Sequence, residues 1–195
     1  MQQSGLMLAA AAAFLSGIPA IACDKRGLLP QHVHTHGHGL LGIGIEGKRI
    51  SMEFVAPGAD IVSFEHKAIT PKQKAAVAKA KATLADALSI FQLSAGAECK
   101  VTDAKVTSWV DDEHGPDEAY DHSDFFAAYT MDCAAPEKLT SNVRYFNGVK
   151  YFDAFSGAEE LHITWLIKKS KIKYGVFRTR PTHTPDLIEE PDGCD

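Results

Sequence analysis

The stretch LLGIGIEGKRISMEFVAPG, Leu40 to Gly58, constrains the fold more than any other part of the chain. In its second half Ile50, Met52 and Phe54 alternate with Ser51 and Glu53, and a period of two puts one set of side chains on one face of a strand. Gly47-Lys48 divides the stretch where a tight turn reverses the chain, so the reading is a β-hairpin.

Further strands are read from Cys99 onward, in KVTDAKVTSWV, DFFAAYTMDC, SNVRYFNGVKYF and ELHITWLIKK, broken by turn residues at Asn147-Gly148 and Ser156-Gly157. Between the hairpin and these strands, Thr70 reads as an N-cap and Pro71 as the first helical residue. Val77, Leu84, Leu88 and Phe91 recur at helical spacing, which predicts a helix of about twenty residues ending near Phe91. Lys72, Lys74, Lys79 and Lys81 read as its solvated face. The expected class is α+β: an antiparallel β-sheet with one long amphipathic helix. A chain of 195 residues, 45% of them hydrophobic, closes one core, so a single domain is expected.

The first 22 residues read as a signal peptide, apolar from Gly5 to Ala22 and ending in Ala20-Ile21-Ala22, although no Lys or Arg precedes the apolar run. An uncleaved anchor is the alternative, set against by Ser16 and Pro19 and by a barely sufficient length. The division expected is a signal peptide over 1–22, a His-rich segment over 23–39 and an α+β metal-binding domain over 40–195. Cys23 directly after the presumed cut also fits a loose lipobox, hence a lipid anchor. The expected location is the periplasm.

Four cysteines, none in a CxxC pair, fit an oxidising compartment and allow three pairings. Cys99 with Cys133 is favoured, because each lies in a strand-like segment and the bond closes the loop between them. Cys23 and Cys194 then either pair or are kept apart by lipidation of Cys23. The net charge of −5, with lysines interleaved among alanines, excludes the basic footprint of a nucleic-acid binder.

Chemistry concentrates in histidine. His32, His34, His36 and His38 alternate in HVHTHGHG, and in an extended strand side chains two apart share a face at about 7 Å. Imidazole, with an ordinary pKa of about 6.5, is largely neutral at pH 7 and offers a lone pair. Two such rings can converge on one zinc ion, with Zn–N distances of about 2.0 to 2.1 Å. All four cannot close on one tetrahedral ion without a bend, for which Gly37 and Gly39 supply backbone freedom.

A second candidate is the acidic loop DDEHGPDEAYDHSD, Asp111 to Asp124, with His114 and His122 among its carboxylates. It lacks the order of a calcium-binding loop. Asp124, two residues after His122, is read as a ligand beside it or as an acceptor that orients the His122 ring. His66 in SFEHKA is a lone histidine, while His162 and His183 read as structural or solvated. His162 nonetheless shares a strand face with Glu160 and Thr164. No G-x-S-x-G, P-loop or H-E-x-x-H pattern is present, so no catalysis is expected.

The order of H-T-H-G-H-G (His34 to Gly39), a hairpin, F-E-H (Phe64 to His66), F-Q-L (Phe91 to Leu93), A-E-C (Ala97 to Cys99), H-S-D-F-F-A-A-Y (His122 to Tyr129), Cys133 and A-F-S-G (Ala154 to Gly157) resembles the ZrgA-like periplasmic zinc-binding family. The resemblance implies a periplasmic protein tied to zinc uptake, with His34, His36, His66 and His122 as site members and Cys99 paired with Cys133. The chain departs from the family in its short acidic loop, which holds only His114 and His122, so high-capacity storage is not expected.

The expected function is capture of Zn2+ by His32, His34, His36, His38, His66, His114, His122 and Asp124, for transfer to a zinc transport system or for buffering. An exported interaction module with pH-responsive histidines is the alternative. A zinc hydrolase with Glu65 as general base is a remoter one.

Overall fold

A computed structural model describes residues 28–29, 34–110, 124–140, 146–167, 170–179, 182–183 and 188–191. The expected signal peptide, Cys23, His32, His114, His122 and Cys194 lie outside them. The alternating stretch forms β1 (His38–Glu46) and β2 (Arg49–Pro57), paired antiparallel from Leu40↔Val55 to Glu46↔Arg49. Gly47, at φ +61, occupies the first turn position, where a tight hairpin of the II′ type calls for glycine. Leu41, Ile43, Ile50, Met52 and Phe54 are all buried, so the period of two does pick out the core face.

The other strands are β3 (Cys99–Ser108), β4 (Asp124–Cys133), β5 (Phe146–Asn147), β6 (Glu160–Ile167), β7 (Ser170–Phe177), β8 (Thr182–His183) and β9 (Ile188–Pro191). Seven of them make one sheet in the order β3-β4-β2-β1-β6-β7-β9, and β5 pairs with β8. Cys99 and Cys133 face each other across β3 and β4 and form a disulfide.

The sheet is mixed, which corrects the antiparallel expectation. β1 and β6 run parallel, with His38 opposite Glu160 and Leu40 opposite His162. Every other pair in the sheet is antiparallel. A parallel neighbour arrives by a long crossover, and nothing in the pattern of a strand states the direction of a neighbour so far away in sequence.

The helices are α1 (Gly58–Val62), α2 (Pro71–Ala85), α3 (Ala87–Ile90), α4 (Glu137–Thr140) and α5 (Val149–Ala154), with a 3-10 turn at Ala95–Ala97. α2 starts where expected: Gln73 N donates to Thr70 Oγ1 at 3.2 Å and Thr70 N donates to Gln73 Oε1 at 3.0 Å, a reciprocal cap. One long amphipathic helix to Phe91 is not formed. α2 stops after 15 residues, and Asp86 takes a non-helical backbone, φ −91 and ψ 68. Its carboxylate accepts from Ser89 Oγ at 2.6 Å, so a residue prone to bond locally breaks the run. The buried side of α2 is a narrow stripe of Val77, Ala80 and Leu84.

SNVRYFNGVKYF is corrected only in its last part: Phe146–Asn147 do form a strand, the residues after Gly148 are helical, and 141–145 lie outside the described residues. Asn147 Oδ1 accepts from Val149 N at 3.0 Å, and the chain turns into α5, which buries Tyr151 and Phe152. These rings complete an aromatic core with Phe54, Phe91 and Tyr129, in which Tyr151 meets Phe54 edge-on at 5.7 Å. Tyr129 OH donates to Leu84 O at 2.8 Å and so fastens the end of α2 to β4. Arg178, just after β7, donates to Ala158 O at 2.7 Å and Phe152 O at 2.9 Å, while its backbone N donates to Glu159 O at 2.7 Å. These bonds set where β6 begins. Among the described residues no helix is long and apolar enough to cross a membrane.

Candidate metal centre

The histidine tract enters β1 through a turn that breaks its alternation. Gly37 has φ +83, a backbone that L side chains rarely adopt. Its N–H donates to Asp60 Oδ1 on α1 at 2.8 Å, and its carbonyl accepts from Glu159 N and Glu160 N, each at 2.8 Å. Clamped between α1 and the start of β6, Gly37 divides the tract. His34 and His36 meet Glu65, in the segment after α1, whereas His38 meets Glu160 and His162 on β6.

In the first group His34 Nε2 lies 3.0 Å from Glu65 Oε1, and His36 Nε2 lies 3.0 Å from Glu65 Oε2. One donor atom from each residue falls within 4.8 Å of the other two. Glu65 Oε1 is buried with no hydrogen-bond partner, so its approach to His34 lacks hydrogen-bond alignment. Ligands of one tetrahedral zinc ion, each at about 2.0 to 2.1 Å, stand about 3.3 Å apart, close to the spacing of this pair. Two imidazoles and a carboxylate are a donor set that zinc accepts.

Asp124, the first residue of β4 and buried, lies behind His34, with Oδ1 at 2.8 Å from His34 Nδ1. A carboxylate only accepts, so Nδ1 donates to Asp124, and Nε2 is left facing Glu65 as the atom a metal would take; this is the orienting role of a carboxylate behind a ligand ring. His36 bonds Glu65 through Nε2 itself, so a metal there takes the place of a proton. The His34 side chain is 11% exposed and that of His36 63%, so the group has a sheltered inner side and an open outer one.

Asp60 adds a further negative charge beside the group. Burial holds its carboxyl above the ordinary carboxylate value, opposed by the bond from Gly37 and by attraction to His36 and His34. Its Oδ2 and the Tyr151 hydroxyl are buried without hydrogen-bond partners. The Tyr151 phenol is pushed upward, first by burial and then by the charge of Asp60.

Of the sequence-predicted ligands, His34, His36 and His38 are brought into groups, and Asp124 stands behind His34. His32, His114 and His122 lie outside the described residues. His66 belongs to neither group: its ring stacks on Phe64 at 5.1 Å and its Nδ1 lies 3.0 Å from Lys67 O. Glu65, considered from sequence only as a general base, supplies the carboxylate instead. His162 reads from sequence as structural or solvated, with Glu160 noted only on its strand face. Their shared strand face was visible, but their parallel neighbour His38 was not.

A family model described as ZrgA family zinc uptake protein matches residues 33–183, which include both groups. Comparison with curated proteins gives no match.

Proposed function

Because the chain belongs to the ZrgA family of zinc uptake proteins, we propose that it captures Zn2+ in the periplasm, with His34, His36 and Glu65 as ligands, for delivery to a zinc transport system or for buffering. The observation that carries this reading is the convergence of His34, His36 and Glu65, with each ring nitrogen 3.0 Å from a carboxylate oxygen, backed by the buried Asp124. Asp124 holds the His34 ring in the orientation a ligand needs, and the exposed His36 gives the ion a way in and out. The role is binding and release, without catalysis. Export is supported by the Cys99–Cys133 disulfide, a bond that persists in oxidising compartments, and by family membership. Anchoring through a lipid on Cys23 is a separate proposal, testable by metabolic labelling with a fatty acid.

Calorimetric titration of the oxidised protein with Zn2+ tests the reading. His34→Ala and Glu65→Gln are each expected to weaken the tightest binding at least about 100-fold, roughly 3 kcal/mol. Unchanged tight binding in both variants would remove this group from the mechanism.

A further inference from the structure

We infer that His38, Glu160 and His162 form a second binding site for a divalent transition-metal cation, separate from the capture site and open on one side. His38 Nδ1 lies 3.1 Å from His162 Nε2 and 3.4 Å from Glu160 Oε2, and His162 Nε2 lies 3.5 Å from Glu160 Oε1. These three separations bracket the edge of about 3.3 Å that joins ligands of a tetrahedral zinc ion. Without an ion, one proton between the two ring nitrogens accounts for the closest contact. A cation in its place is held by all three residues.

The arrangement follows from the sheet. Parallel pairing sets His38 opposite Glu160 and Leu40 opposite His162, so the period of two on β6 presents two donors to the one at the start of β1. The two rings stack at 5.4 Å and 16°, which fixes their mutual direction.

Gly175 on β7 is the second observation. It pairs with His162, and a Cβ built there would collide with Glu160 Oε1. Gly175 therefore leaves the space in which the Glu160 carboxylate turns toward the two histidines.

Two imidazoles and one carboxylate leave a tetrahedral ion with one position to fill. It opens on a cleft of about 520 Å3 whose walls include His38, Glu160, His162, Leu40, Lys171 and Lys173. The His38 and His162 side chains are 36% and 45% exposed, against 11% for His34. His36 of the capture site is more open still, at 63%, but no ring of the second site is as sheltered as His34, so the second site is expected to be the weaker of the two.

The test is zinc titration of the full, oxidised chain as wild type, His162→Ala, Gly175→Ala and His34→Ala, with circular dichroism to establish folding. The two β6 and β7 variants are expected to lose one zinc equivalent, the weaker one, and to keep the tighter. His34→Ala is expected to retain the weaker equivalent. In cobalt titrations, the visible bands of four-coordinate Co2+ belonging to the weaker equivalent are expected to vanish in His162→Ala. If His162→Ala binds as many equivalents as the wild type, with the same affinities and cobalt spectrum, the second site is refuted. That outcome leaves the capture site intact. If His34→Ala changes nothing while His162→Ala removes an equivalent, the capture reading fails and this one stands. His162 is exposed, so its substitution tests the idea even if Gly175→Ala does not fold.

Discussion

Glu65 and His66 are adjacent in sequence, yet one faces the candidate ligands and the other packs on Phe64. Residue type favoured His66; the direction of the chain after α1 favours Glu65. The residue behind His34 is equally open to test. Asp124→Asn can still accept from His34 Nδ1 but lacks the full negative charge, so zinc affinity is expected to fall by about 10- to 100-fold. Calorimetry reads this directly, and an unchanged affinity would deny Asp124 its orienting role. Asp60 acts on stability through protons. Its folded-state value is raised above the ordinary 3.8, so between the two values the metal-free folded state holds a proton there that the unfolded chain has released. Its contribution to stability is full below the unfolded value and is lost as pH rises through the raised one. Asp60→Asn keeps an acceptor for Gly37 N and removes this titration. In urea unfolding with chelator present, the variant is expected to gain stability relative to wild type as pH rises from about 4 to 7. Parallel curves would exclude the effect.

At the scale of elements, signals held within a few residues were legible and those set by packing were not. Thr70 and Pro71 announced the start of α2, because a cap is a local bond to Gln73. Its end is not local in this way. Leu84, Leu88 and Phe91 keep a helical spacing across the interruption at Asp86, so periodicity alone could not reveal the break. The strand pattern also covers Tyr151 and Phe152, which lie in α5, since aromatic side chains suit both a strand and a short buried helix. The turn at Gly37 joins α1, β1 and β6, and its φ of +83 makes it sensitive to a side chain. Gly37→Ala also brings a Cβ to 3.4 Å from Glu159 Cγ. A loss of about 1 to 2 kcal/mol in unfolding free energy is expected, together with weaker zinc binding. An alanine variant as stable as wild type would show that the turn tolerates the change.

For the molecule as a whole, the disulfide ties β3 at the sheet edge to β4, closing a sequence separation of 34 residues. Chain-entropy reasoning gives such a link about 3 to 4 kcal/mol. Cys99→Ala with Cys133→Ala is expected to lower the unfolding free energy by about that amount in urea titration, and a loss below about 1 kcal/mol would place the stability elsewhere. Four cysteines left three pairings open, but the hairpin at Gly47, the start of α2 and the donor chemistry of the tract were determined by the sequence itself. Each depends on residue type, on a period of two or on bonds between near neighbours. Tertiary structure alone decided that the tract serves two groups, that Glu65 joins one of them, and that Glu160 and His162 join the other. His36 meets a partner 29 residues away and His38 one 124 residues away. The second meeting follows from the crossover that lays β6 parallel to β1, the first from the path of α1 and the segment after it beside Gly37, and both are consequences of how the core packs.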